Sequence, residues 1–219
     1  MGMKKITLVC TVHQPNGRCN ATELLSILRE ISPDALFEEI RASDFAARYG
    51  NPGLHTLEMR AILSYLQQRT ARQFPVDAYT IPDRFRDDQC RLDDHVFCHS
   101  EACGAQYDEI QELTARLGFP YLNSPGFLAQ FSRFEQLFEA AVLDQANEDM
   151  CALLASWNQQ VRQRDTAMLD NIYKVCREEP FSNGVFLVGA AHMTGIVEGI
   201  RRRTGAEADL VEWTQWKGP

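Results

Sequence analysis

The chain has 219 residues, 45% hydrophobic and 24% charged, a balance that suits a globular protein with a core of useful size. Thirty acidic residues against 22 Lys and Arg leave a net charge of −8, which argues against non-specific binding to nucleic acid. No apolar run approaches the ~20 residues of a membrane span. The seven cysteines, odd in number and without a tight spacing framework, read as reduced thiols of a cytoplasmic protein.

Ile6 to Val12 reads as a first strand that ends at His13. The run after Lys4-Lys5 is too short and too polar-ended for a signal peptide. Asn20 can cap the next helix, and Glu23 completes a capping-box-like pattern. Leu24, Ile27, Leu28 and Ile31 form its apolar face. Pro33-Asp34 stops it, and Ala35 to Ile40 reads as a second strand with Glu38-Glu39 at its far end. Strand, helix and strand in about 35 residues make a βαβ unit. The two strands should therefore be parallel neighbours, with His13 and Glu39 side by side.

Asn51-Pro52-Gly53 marks a turn. A helix should follow from roughly Leu54 to Gln73, with Leu57, Ala61, Ile62 and Leu66 facing inward. Val76 to Ile81 reads as a third strand closed by Pro82, and residues 83 to 104 lack clear periodicity. Tyr107 to Leu117 reads as a helix with Gly118 past its end. Phe127, Phe131, Phe134 and Phe138 follow helical spacing and read as a core stripe. Helical character continues to Glu179, where Pro180 ends it.

Val185 to Val188 reads as a strand buried on both faces. It runs into Gly189-Ala190-Ala191-His192, and a helix over Ile196 to Thr204 follows. Arg201-Arg202-Arg203 suits the dipole at that helix's end. A strand near Ala208 to Trp213 closes the chain. The pattern predicts an α/β fold in one domain over residues 1–219. A mostly parallel central sheet would be flanked by helices, with an irregular and helical insertion over approximately residues 83–160.

Two strands ending in x-x-His would bring His13 and His192 to the carboxyl edge of one sheet, where open α/β sheets place their ligands. A histidine pair with a carboxylate suits Zn²⁺, Mn²⁺ or Co²⁺. Glu38 or Glu39 could supply that carboxylate, and strand alternation points them to opposite sides, so one of the two should join. Arg164 continues the apolar stripe of Met168, Ile172 and Val175. It would either meet an anion, from Glu39 or from a substrate, or send its head to water. Glu58 would either face the site or lie exposed on its helix. Cys90, His95, Cys98, His99 and Cys103 are zinc-ligand types at short range, but without paired C-x-x-C knuckles they read as an ordinary thiol-containing segment.

Taken in order, these residues resemble the TraB/PrgY/GumN family, which includes the Tiki-type proteins and is distantly similar to the erythromycin-esterase and ChaN-like fold. Cys10-Thr11-Val12-His13 resembles the family's first G-x-x-H motif, with Cys10 in place of glycine. The stretch Pro33 to Glu39 resembles its strand ending in glutamate, with Glu39 the better-aligned residue. Glu58 falls where a helical glutamate is often found. Arg164-Asp165-Thr166-Ala167-Met168 resembles an Arg-Asn-x-x-Met stretch, with Asp165 in place of asparagine. Gly189 to Gly195 resembles the second G-x-x-H with its trailing glycine.

The resemblance implies a metal-dependent hydrolase of a peptide or ester bond. His13, Glu39 and His192 would hold a divalent ion, and Arg164, Glu38 and Glu58 would serve catalysis. The expected partner is a peptide or small-molecule substrate, with no nucleic acid and no membrane; a homodimer is left open. The alternative implied is a non-catalytic pocket that sequesters a peptide or haem, since PrgY-like members act in peptide-pheromone control and ChaN-like proteins bind haem.

Overall fold

In the computed structural model the described residues are 3–78, 82, 84–145 and 147–218. Within them β1 (Lys4–Thr11), β2 (Ala35–Glu38), β3 (Arg72–Pro75), β4 (Asn183–Gly189) and β5 (Val211–Gln215) form one sheet. The order is β3-β2-β4-β1-β5 and every pairing is parallel. The fold is α/β, a parallel sheet flanked by helices.

β1 and β2 are parallel, as the βαβ reading requires, but they are not neighbours. β4 lies between them, pairing Val9 with Leu187 on one side and Glu38 with Leu187 on the other. Val185, Phe186, Leu187 and Val188 are at most 2% exposed, as suits a strand with both edges paired and both faces covered. Ile6, Val9, Ala35, Leu36 and Phe37 of β1 and β2 are buried as completely, so burial does not set the order. The crossover rule fixes that β1 and β2 are parallel; it leaves open what slots between them.

The edge strand β3 is displaced from its expected place. It occupies Arg72–Pro75, overlapping the last two residues of the expected helix, rather than Val76 to Ile81, and residues 79–81 of the expected strand lie outside the described residues. A strand paired on one side needs no apolar run, and proline is tolerated there. The helix before it is shorter than expected: α3 spans Leu57–Leu66, with Thr56 Oγ1 accepting the Met59 N–H at its start. The sequence reading also misses a short helix at Ala42–Tyr49, α2, whose apolar side, Phe45 and Tyr49, is only half-buried. α1 (Ala21–Ile31) matches its expectation, with the Asn20 side chain accepting from the Thr22 and Glu23 N–H groups.

Between β3 and β4 the described chain is helical: α4 (Phe85–His99), α5 (Glu101–Leu117), α6 (Phe119–Leu122), α7 (Pro125–Asp144) and α8 (Glu148–Glu178). The segment expected to be irregular is therefore two helices. Leu92, Val96 and Cys103 are its buried apolar contribution, too sparse for a clear period. They pack with Ala141, Val142 and Leu154 as a second, smaller core. The aromatic stripe lies on α7, with successive rings from Phe127 to Phe138 in contact.

The second half of α8 carries Met168, Leu169, Ile172, Tyr173 and Cys176 into the main core, so this helix belongs to both. Asn123 joins the insertion to the sheet. Its side chain accepts the Cys10 N–H at 2.8 Å and donates to the Cys10 carbonyl at 3.1 Å, beyond the point where β5 pairs with β1. After β4 comes α9 (Met193–Arg202), which begins nearer to His192 than expected.

Candidate active site

The carboxyl ends of β1, β4 and β2 finish within a residue or two of one another, since Thr11 pairs with Gly189 and Glu38 with Leu187. The residues just beyond them, His13, His192 and Glu39, therefore meet at one edge. Glu39 is the centre. Its Oε1 lies 2.7 Å from Arg164 Nη2 and 3.3 Å from His192 Nε2. Its Oε2 accepts the Gly189 N–H at 2.7 Å and lies 3.8 Å from His13 Nε2. Gly189 is the residue across which Glu39 and His13 reach each other.

Each imidazole is held from behind by a second carboxylate. Glu58 Oε1 lies 2.9 Å from His13 Nδ1 and also accepts from Thr11 Oγ1 at 2.7 Å. Asp165 Oδ1 lies 2.6 Å from His192 Nδ1. Both Nδ1 atoms are thus occupied, and both Nε2 atoms face Glu39. Glu58 Oε2 is buried with no hydrogen-bond partner among the described residues. Arg164 is anchored twice more, through Nε and Nη2 to the two carboxylate oxygens of Asp77 at 3.1 and 2.9 Å.

The electrostatics follow from this packing. Burial by itself would raise the Glu39 pKa, but the charge and hydrogen bond of His192, with the charges of His13 and Arg164, hold it well below the ordinary carboxylate range. The Glu58 hydrogen bond and the charge of Glu39, acting against burial, bring His13 up to about 9. Burial lowers the His192 pKa, yet the charge of Glu39 and the bonds to Asp165 and Glu39 bring it to about 9 as well. Both shifts favour the protonated imidazole.

Glu38 takes a separate place. It lines the same cavity but bonds to Tyr49 Oη and to Gln73 Nε2, and burial pushes it up to about 7. Of the two adjacent glutamates, Glu39 alone joins the histidines, as alternation requires. Glu58 is buried at 8% exposure, so the exposed-helix reading of it does not hold. Arg164 is inward-facing and paired, so the reading that sends its head to water does not hold either. Asp77 is absent from the sequence-predicted site because its expected position was inside a strand. Asp165 has a signal that could have found it: it follows Arg164 directly.

A cavity of about 620 Å³ opens above this cluster, with His13, Glu39, Asp77 and Arg164 in its wall. His13 is the accessible imidazole, with its side chain 52% exposed against 8% for His192. Among the described residues no three His, Cys, Asp or Glu side chains are grouped to hold a metal ion at once. Cys90, Cys98 and Cys103 lie on α4 and α5 and are not among the residues lining the cavity, with Cys103 buried and the other two exposed. Among the described residues no helix is long and apolar enough to cross a membrane. No protein-family model, curated protein or solved structure matches the chain.

Proposed function

We propose that the chain is a hydrolase of peptide or ester bonds, related to the TraB/PrgY/GumN family through the residues that surround Glu39. One observation carries this reading. Two imidazoles turn Nε2 toward opposite oxygens of a single buried carboxylate, while separate carboxylates fix each Nδ1. A fold does not need such a cluster at the floor of a cavity, and perturbed titrating groups in a cleft favour a chemical role.

The donor set fits a divalent ion in its chemistry. His13, Glu39 and His192 would hold it, and Glu58 and Asp165 would orient the two imidazoles, as outer carboxylates commonly do at metal sites. Such an ion supplies Lewis acidity toward a carbonyl and toward water. Holding it requires each imidazole to release a proton.

The chain's own groups do the rest. In the ion-free form His13, whose raised pKa favours the protonated ring, first donates a proton from its half-exposed imidazole to the substrate and can then take one back, while Glu58 fixes its ring. His192 and Arg164 keep Glu39 ionised and in place. Arg164 Nε and Nη2 are committed to Asp77 and Glu39, while Nη1 carries no protein partner among the described residues. That remaining donor is available for an oxyanion that develops on the substrate.

The test is protein purified without chelator, analysed for its metal content and assayed on panels of peptides and activated esters with and without added Zn²⁺, Mn²⁺ or Co²⁺. Turnover that His13→Gln abolishes in a folded protein is the expected result; His192→Gln, which strips Glu39 and Asp165 of a buried partner, should abolish it too, at a cost in stability, and is assayed well below its melt. Tight binding of a peptide or of haem with no turnover under any of these conditions would replace the hydrolase with a sequestration pocket.

A further inference from the structure

We infer that the substrate carries an oxyanion, a carboxylate or a phosphate, which Arg48 and Arg86 hold at the mouth of the cavity. The inference rests on the hydrolase reading for the word substrate; the binding it describes can be measured without turnover.

The charges that line the cavity divide into two groups. Those at its floor are engaged: Glu39 and Asp77 by Arg164, Glu58 by His13 and Thr11, Glu38 by Tyr49 and Gln73. Nearer the surface Arg41 pairs with Asp44 at 2.7 Å. Arg48 and Arg86 line the same cavity and have no carboxylate partner among the described residues. Two uncommitted guanidinium groups at one opening stand out in a chain whose net charge is −8.

Arg48 by itself has an ordinary explanation. It sits in the last turn of α2, where a cation suits the helix dipole. Arg86 is the second residue of α4, exposed in a first turn that also carries Asp87 and Asp88, and its side chain has no ion-pair partner among the described residues. That helix also starts without a side-chain cap, its N-cap position being Arg84. Gln89, one turn further along α4, lines the cavity too.

An anion in this cavity would have two guanidinium forks in the lining to meet, those of Arg86 and Arg48. The cavity, at about 620 Å³, is within the usual range for small-ligand sites, so one ligand can reach both this mouth and the floor.

The experiment uses three forms of one acetylated tripeptide: free carboxylate terminus, amidated terminus, and amidated terminus with a phosphoserine. Each is titrated calorimetrically into the full chain and into the Arg48→Gln/Arg86→Gln double variant, and assayed for cleavage in parallel. The full chain should bind at least one anionic peptide roughly tenfold or more tighter than the amidated one, with the gap narrowing as salt rises. Which anionic peptide gains identifies the source of the oxyanion. The double variant should lose the gap and bind the amidated peptide as before, and should remain folded, since Arg86 is exposed and Arg48 only half-buried. Equal affinity for all three peptides, no binding of any, or a gap that survives in the double variant would overturn the inference. Preference without cleavage would leave this inference standing and hand the hydrolase reading to the wider peptide and ester panels; cleavage without preference would overturn this inference alone.

Discussion

The space left by the missing side chain of Gly189 is where Glu39 and His13 meet. A Cβ there would stand 3.2 Å from Glu39 Oε2 and 3.2 Å from His13 Nε2. The glycine therefore solves a problem set by the topology. β4 separates β1 from β2, and residues beyond the two outer strands can touch only if the central strand ends in something small. Its backbone, at φ −54 and ψ 136, is open to alanine. Gly189→Ala should accordingly fold, with a loss of about 1 kcal/mol or less. Its turnover should fall on the order of tenfold or more, because the two groups must part by a few tenths of an ångström. A melt and steady-state kinetics on the variant decide this, and wild-type kinetics would show that His13 and Glu39 need no close approach.

Gly195 plays the same part for Asp165, more tightly. A Cβ at Gly195 would lie 2.0 Å from Asp165 Oδ2, closer than any real contact. Asp165 is 6% exposed and tied to His192, so it cannot swing into water. Gly195→Ala should cost about 1–3 kcal/mol through overpacking. Adding Asp165→Ala removes the obstructing carboxylate, so the double variant should be less destabilised than the two single losses summed. Chemical denaturation of the four proteins of this cycle measures the coupling. Strict additivity would mean that α9 simply moves away from α8.

His13, Glu39 and His192 can be read from the sequence because parallel strands share a carboxyl edge, so a residue just past each end is at that edge whatever the strand order. The order itself cannot be read this way: β1, β2 and β4 are alike in apolar content and burial, and nothing local to any of them reports which lies between the others. Asp77 follows an edge strand with Arg72, Gln73 and Pro75 in it, and that composition hides the strand. α2 and the first half of the insertion bury too few residues to leave a period. The links from Glu58 to His13 and from Asp165 to His192 join side chains 45 and 27 positions apart, and only the packed fold brings them together.

Arg164 balances two buried carboxylates at once. Asp77 and Glu39 have side chains 5% and 7% exposed, and both lose their guanidinium if it is removed. Arg164→Met should destabilise by about 3–5 kcal/mol, the usual cost of breaking a buried pair from one side. Arg164→Lys keeps the charge without the fork. It should lose about 1.5–3 kcal/mol, the worth of a hydrogen bond to a charged group. Arg164→Met/Asp77→Asn should recover part of the Met loss, since one of the stranded charges is gone. Denaturant melts rank the three, and equal stability of the Met and Lys variants would mean that the charge of Arg164 does nothing for the fold.

The pH dependence of stability has a definite sign. His13 and His192 sit at about 9 in the fold against an ordinary value of 6.5, so the folded state holds these protons more tightly than the unfolded one. Their contribution is complete below about 6.5 and is lost as pH rises through about 9. Glu39 behaves oppositely: its depressed pKa stabilises above the ordinary carboxylate range and fails in acid. The ion-free protein should therefore melt at progressively lower temperature between about pH 6.5 and 9. His192→Gln should flatten that fall more than His13→Gln, because the His13 side chain is half exposed and its charges are screened by solvent. The same protons stand in the way of a divalent ion, so ion affinity should rise over the interval in which stability falls. Titration of Zn²⁺ or Mn²⁺ at pH 7 in two buffers of different ionisation heat should register proton release. A flat melting profile from pH 6.5 to 9, or ion binding with no proton release, would mean that the two histidines are neutral at pH 7 and that the Glu39 cluster carries less positive charge than its geometry implies.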